Sequence, residues 1–203
     1  METDKITVQK HLHFLILLPH RDSQNIIEDY RQKLFCHGFF SAYSFPVAAP
    51  LAILSRPLKT EELKKIASQT RNITLQKHGK IAAESLDLVF CPDMESFPKL
   101  GFYGPLLDIS LIDILNNVSN NIIFSFPKTI LTVALAKEDN MPAAPAFKPF
   151  NFSAARIANL SIRPILSSSA LAAKSSIAVY SFEWRVSRGV WLPGYRREMR
   201  IES

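Results

Sequence analysis

Few side chains of this 203-residue chain suit proton transfer, and two of its five histidines stand two apart in one apolar run. In His11-Leu12-His13-Phe14-Leu15-Ile16-Leu17-Leu18, the alternation of an extended strand places His11 and His13 on one face. An imidazole pair there titrates near neutrality and can act on a phosphate as acid and base. The same residues also fit a plainer arrangement, with His11 at the strand entrance in solvent and His13 making one buried hydrogen bond. Metal ligation by the pair lacks a third ligand in sequence, so no metal is expected. His20-Arg21-Asp22 lies where the first strand turns into a helix. Free N–H groups at a helix start beside an arginine suit an anion, although a helix cap with a surface arginine accounts for these residues too. Toward the C-terminus, Trp184, Arg185, Arg188, Trp191, Tyr195, Arg196, Arg197 and Arg200 interleave cations with aromatic rings. Guanidinium groups pair phosphates and aromatic faces stack bases, so the mixture suits single-stranded RNA. The alternative is aromatic rings closing the core with solvated arginines around them. There is no Walker glycine loop, no GxSxG elbow, no HExxH and no zinc ribbon.

The elements that must position these groups follow from periodicity and punctuation. His11–Leu18 reads as a core strand stopped by Pro19. A helix over Gln24 to about Cys36, capped by Asp22 or Ser23, carries Ile26, Ile27, Tyr30, Leu34 and Phe35 and ends at Gly38. Phe40–Phe45 and Leu51–Ser55 read as strands. Thr60 caps a second helix to about Thr70, with Glu61 and Glu62 in its first turn. Strands follow at Ile73–Lys77 and Leu86–Phe90, then a helix over about Leu106–Asn116, then strands at Ile122–Phe126 and Ile130–Ala136. A proline-rich connector (MPAAPAFKPF) leads to a strand at Leu160–Ile165. An Ala/Ser-rich stretch precedes a last strand, Ile177–Arg185, whose residues alternate cleanly. Strands and helices in this order predict an α+β fold with a large antiparallel component.

One phrase occurs twice. Ser44-Phe45-Pro46 opens VAAPLAILSR, and Ser125-Phe126-Pro127 opens KTILTVALAK. Without a gap, Pro50 aligns with Leu131, Leu51 with Thr132, Ile53 with Ala134, Leu54 with Leu135 and Arg56 with Lys137. Two such runs half a chain apart suggest an internal duplication with its copies facing each other. The order of elements around the twin runs resembles the 2H phosphoesterases, which include 2′,5′ RNA ligase-like proteins and cyclic nucleotide phosphodiesterases. The resemblance implies a two-lobed, pseudo-symmetric domain with an antiparallel sheet in each lobe, flanked by helices. Residues 1–80 would carry one motif strand and 81–203 the other, with elements free to cross between lobes. It also implies a His-x-Thr/Ser motif on each twin strand, its histidines facing across a cleft as base and acid on a phosphodiester. Here the histidine positions are Leu51 and Thr132, and the hydroxyl positions are Ile53 and Ala134. Leucine, isoleucine and alanine transfer no proton and bond no phosphate. The family chemistry is therefore expected to be lost.

A formal charge of +6 and a pI near 9.4 tilt the expected partner toward an anion such as RNA or a nucleotide. Arg21, Arg56, Lys137, Trp184, Arg196 and Arg197 are the candidate contacts. No stretch reaches the roughly 18 apolar residues of a membrane span, and the N-terminus lacks the pattern of a secretory signal. Cys36 and Cys91 form no disulfide framework or metal motif, which fits reduced, buried thiols in the cytoplasm. No cofactor is expected. The leading expectation is a catalytically degenerate 2H-like protein that binds RNA or a nucleotide phosphate, or serves as an interaction module. One alternative is an active phosphodiesterase using relocated histidines (His11, His13 or His20), and another is an unrelated scaffolding protein.

Overall fold

A computed structural model describes residues 11–76, 80–92, 101–118, 120–136, 143–152, 154–164 and 182–192. The chain is α+β, with two wholly antiparallel sheets. The five-stranded sheet runs β5 (Ile122–Ser125), β2 (Ala49–Leu54), β1 (Leu12–Pro19), β8 (Ala155–Pro164), β9 (Phe182–Trp191). The four-stranded sheet runs β6 (Ala134–Ala136), β4 (Gly101–Leu107), β3 (Ile81–Phe90), β7 (Phe150–Phe152). Three helices complete the described elements: α1 (Arg21–Cys36), α2 (Thr60–Gln76) and α3 (Ile112–Val118). The larger sheet draws strands from both halves of the chain, since β5, β8 and β9 join β1 and β2.

β1 shows how alternation divides the core. Leu15 and Leu17 join a cluster with Ile27, Tyr30 and Leu34 of α1 and Leu63, Ile66 and Ala67 of α2. Leu12, Phe14, Ile16 and Leu18 join a second cluster that includes Val89, Phe102 and Leu135 of the other sheet. In the second cluster, the two phenylalanines of the repeated tripeptide pack against the same two rings. Phe45 lies 6.1 Å from Phe14 and 5.1 Å from Phe102, while Phe126 lies 6.5 Å and 5.6 Å from the same rings. Three of these four contacts are edge-to-face, each contributing about 0.5–1.5 kcal/mol beyond burial. The space between the sheets is thereby packed with aromatic carbon.

Several local expectations are corrected. Residues 40–45 form successive turns, closed by Ala42 N–H to Phe39 O and Ser44 N–H to Ser41 O, and form no strand. Arg31 of α1 holds this turn from inside, donating to the Phe45 and Val133 carbonyls. A buried guanidinium was invisible in a helix stripe read from apolar residues alone. Ile26 and Phe35, counted in that stripe, are half exposed. Residues 73–76 continue α2, whose buried stripe Leu63, Ile66, Ala67, Thr70 keeps helical spacing with no glycine or proline to stop it. Residues 106–107 belong to β4, and the third helix starts only at Ile112. Between these, Asp108 Oδ1 accepts the Ala82 N–H and ties the turn to β3. Only Ala134–Ala136 of the second twin run counts as strand, yet the run follows β4 for its length. Leu107 N–H reaches Thr129 O, Leu131 N–H reaches Pro105 O, and Val133 N–H reaches Tyr103 O. Gly104 permits that approach, because a Cβ there would lie 2.0 Å from the Leu131 carbonyl oxygen. Cys36 is exposed, unlike Cys91, because it ends α1 on the solvent side.

Candidate functional site

The twin positions lie together in the core. Phe126 N–H donates to Leu51 O and Thr132 N–H donates to Ala48 O, both at 2.9 Å, so the two runs are joined backbone to backbone. Leu51, Ile53, Thr132 and Ala134 are each at most 2% exposed. Leu51 sits at a register break, since Leu15 pairs with Ala52 and Ile16 with Pro50. The bulge sends Leu51 to the helix-covered cluster, while Ile53 goes to the cluster shared by the sheets. A His-x-Thr/Ser motif needs both side chains on one face, and here they part. The Thr132 hydroxyl is buried without a hydrogen-bond partner among the described residues. None of these four side chains can meet a dissolved substrate.

Polar side chains gather instead at the start of β1. A groove of about 550 Å³ is lined by His11 and His13, Pro57, Ser161 and Arg163 of β8, and Glu183, Trp184, Arg185 and Ser187 of β9. Strand register builds it. His13 pairs with Ser161 and Ser161 with Arg185, while Arg163 pairs with Glu183 one step along. Polar residues at alternate positions thus share a face across three strands. The imidazoles of His11 and His13 stack nearly parallel, with centroids 6.3 Å apart and 7° between planes. His13 Nδ1 shares a 2.8 Å hydrogen bond with Ser161 Oγ, which leaves its Nε2 as the other ring nitrogen. Burial, and then the charge of His11, holds the His13 pKa below its ordinary 6.5. Arg163 is tied to Glu183 at 2.6 Å. Arg185 is exposed and makes no ion pair among the described residues. Trp184 borders the groove but pairs with Ile162, so its half-exposed side chain lies on the opposite face of the sheet.

The wall at Pro57 is held by a buried amide. Asn159 Oδ1 accepts the Leu58 N–H at 3.0 Å, and its Nδ2 donates to Leu58 O at 2.7 Å. This double bond to one residue fixes the entry of α2 against β8. Glu62 completes the anchor from the other side, accepting the Lys59 N–H at 2.7 Å, Arg56 at 3.1 and 3.3 Å, and Asn121 Nδ2 at 3.1 Å. Arg56 is therefore committed to the start of α2.

Of the residues singled out from sequence, the fold brings His11 and His13 into one groove, and Trp184 borders it with its side chain on the opposite face of the sheet. It leaves His20 and Arg21 at the opposite end of β1, about 23 Å from His13 by strand rise. There the Asp22 carboxylate stands 3.1 Å from His20 Nδ1 and already supplies the negative charge that a helix start favours. His20 also caps α1, two or three residues before the caps read from sequence. Lys137, Arg196 and Arg197 lie outside the described residues, as do the Ala/Ser-rich stretch and residues 177–181. Ser161, Arg163, Glu183 and Arg185 complete the groove without having been proposed as a set. The signal was available in the alternation Asn159, Ser161, Arg163 within an apolar strand, matched by Glu183 and Arg185 in the next. Among the described residues no group of three His, Cys, Asp or Glu side chains could hold a metal ion, and no helix is long and apolar enough to cross a membrane. No family model, curated protein or solved structure matches this chain.

Proposed function

We propose that this protein is a catalytically silent relative of the 2H phosphoesterases that binds the phosphate of RNA or a nucleotide in the His11/His13 groove. The twin runs support the kinship. Their tripeptide phenylalanines meet in one cluster, and each run lies beside a strand (β1 or β4) that leads into a helix preceding it. Burial of the four motif positions supports the loss of chemistry, because no acid or base can stand there. The single observation that carries ligand binding is the groove itself. It combines two imidazoles, a hydroxyl and a guanidinium that makes no ion pair among the described residues, within about 550 Å³. Imidazole N–H and guanidinium groups bind phosphate oxygens. The reading places the protein in the cytoplasm, where RNA and nucleotides are abundant.

An active phosphodiesterase using His11 and His13 is less well supported. In-line displacement needs the base and the acid on opposite sides of phosphorus. These two rings stand side by side on one strand face.

The test is fluorescence anisotropy of a labelled single-stranded RNA oligomer titrated with the whole protein. With two phosphates neutralised, a slope near −0.7 per contact gives about a sevenfold loss of affinity between 50 and 200 mM salt. Arg185→Gln should weaken binding several-fold at low salt. Affinity indifferent to salt and to Arg185→Gln would remove the proposal. A separate incubation with 2′,3′-cyclic AMP at high protein concentration should give no hydrolysis. Turnover that vanishes in His11→Ala/His13→Ala would establish the enzymatic alternative.

A further inference from the structure

We propose that the free edge of β9 docks an extended acidic segment of a partner protein. The segment adds to the five-stranded sheet as a further strand and sets two carboxylates against Arg185 and Arg188. This goes beyond phosphate binding in the groove, with which it shares Arg185 alone.

Length singles out this edge. The outer strands of the two sheets are β5, β9, β6 and β7. β5 has four residues and β6 and β7 have three each, whereas β9 has ten. Folded chains keep bare edges short, because a row of unpaired N–H and C=O groups recruits another strand. β9 pairs with β8 along its length, and no other described element pairs with it. Alternate residues of an antiparallel strand aim their backbone groups away from the neighbour, so about half of those on β9 face outward. Glu183, Trp184, Arg185, Ser187, Arg188 and Gly189 are all exposed, which leaves the row open among the described residues.

Charge selects the occupant. Arg185 pairs with Ser161 and Arg188 with Asn159, and the register break between Asn159 and Leu160 absorbs the extra residue, Ser187. Two arginines three apart in sequence therefore share one face of the sheet. Neither makes an ion pair among the described residues. Glu183, the one acid of the strand, is held by Arg163 at 2.6 Å. A second copy of β9 is a poor occupant. Laid antiparallel over its full length, it sets Arg185 against the second copy's Arg188, and laid parallel in register it sets each arginine against itself. Like charges directly opposite are destabilising. A strand with carboxylates at alternate positions meets both guanidinium groups instead. Its other side chains come beside Trp184 and Val186, which pair with Ile162 and Leu160 on the opposite face. Apolar residues between the acids suit that face, so the partner segment alternates Asp or Glu with residues such as valine.

The test titrates the whole protein into a labelled peptide with blocked ends, Thr-Val-Glu-Val-Glu-Val-Thr, followed by fluorescence anisotropy at low salt. Two controls accompany it: the same peptide with Gln for both Glu, and an isomer whose two Glu are adjacent and so face opposite ways in a strand. The alternating acidic peptide should bind saturably, and each control at least tenfold more weakly. Arg185→Gln/Arg188→Gln, checked for folding by circular dichroism, should weaken the acidic peptide at least fivefold and leave the Gln peptide unchanged. Arg188→Gln alone should weaken the peptide while leaving RNA affinity as in the wild type. Amide hydrogen exchange should slow across residues 182–191 when the acidic peptide is added. No binding, equal binding of the adjacent-Glu isomer, or binding that leaves exchange in β9 unchanged would overturn the proposal. Exchange in β9 that slows with protein concentration alone would give the edge to a second copy and overturn it. An oligouridylate that protects β9 where the peptide does not would assign both arginines to RNA, with the same result.

Discussion

Thr132 occupies the position where the family resemblance would place a histidine, and its hydroxyl is buried with no hydrogen-bond partner among the described residues. Replacing it by valine keeps the branched shape and removes the orphaned polar group. A buried hydroxyl stripped of water and left unpaired costs about 1–3 kcal/mol, so Thr132→Val should stabilise the fold by about 1 kcal/mol after imperfect repacking. For a chain of this length that corresponds to a rise in Tm of about 2–4 °C. Thr132→Ser keeps the hydroxyl and deletes a packed methyl, and should lower stability by about 1 kcal/mol. Urea unfolding followed by circular dichroism and by tryptophan fluorescence gives both numbers and tests for a two-state transition. RNA affinity should be the same in wild type and both variants. A Val variant that is less stable while Ser is neutral would refute the reasoning. The hydroxyl would then have a partner, and the twin site would be a polar pocket.

Other outcomes follow from the same geometry. Leu51→His, which restores the family residue at a 2%-exposed position, should cost about 3 kcal/mol and confer no phosphodiesterase activity, as read by thermal melts and cyclic-nucleotide turnover. Asn159→Ala strands the Leu58 N–H and C=O, and should lose about 3 kcal/mol in urea unfolding while loosening the Pro57 wall of the groove. His13 is held below its ordinary pKa of 6.5, so the unfolded chain takes up this proton first as pH falls. Its contribution to stability is complete above pH 6.5, declines from there toward the lowered folded value, and then levels off. Urea midpoints of wild type should therefore fall more steeply than those of His13→Asn on acidification through that window. The Cys91 thiol is pushed up to about 12 by burial, whereas Cys36 is exposed. A thiol reagent at pH 8 should titrate one cysteine in the native protein and both in denaturant.

Alternation along β1 was open to reading, and it set which residues entered each cluster and put His11 and His13 on one face. The twin phenylalanines announced themselves by repetition, and the fold seats both against Phe14 and Phe102. What the residues did not disclose depended on long-range partners. The strand-like run Phe40–Phe45 became turns because Arg31 supplies a donor to Phe45 O from a helix nine residues upstream of that run. Ile73 and Thr74 favour strands by propensity, but a helix already buried on Leu63, Ile66 and Thr70 carries through them. β4 escaped notice since Gly101, Gly104 and Pro105 resemble loop punctuation, although Gly104 is there to let the Leu131 backbone pass. The groove was half visible. His11 and His13 were evident by spacing, but Ser161, Arg163, Glu183 and Arg185 come to them only through the pairing of β1, β8 and β9.

Ligand binding at the imidazole pair is read most directly from long-range proton–nitrogen NMR spectra of the histidine rings, recorded as 5′-AMP is added to the whole protein. The ring signals of His11 and His13 should shift together, while those of His20 and His37 stay in place. Saturating AMP that leaves the His11 and His13 signals unmoved, or that shifts His20 in their stead, would contradict the account.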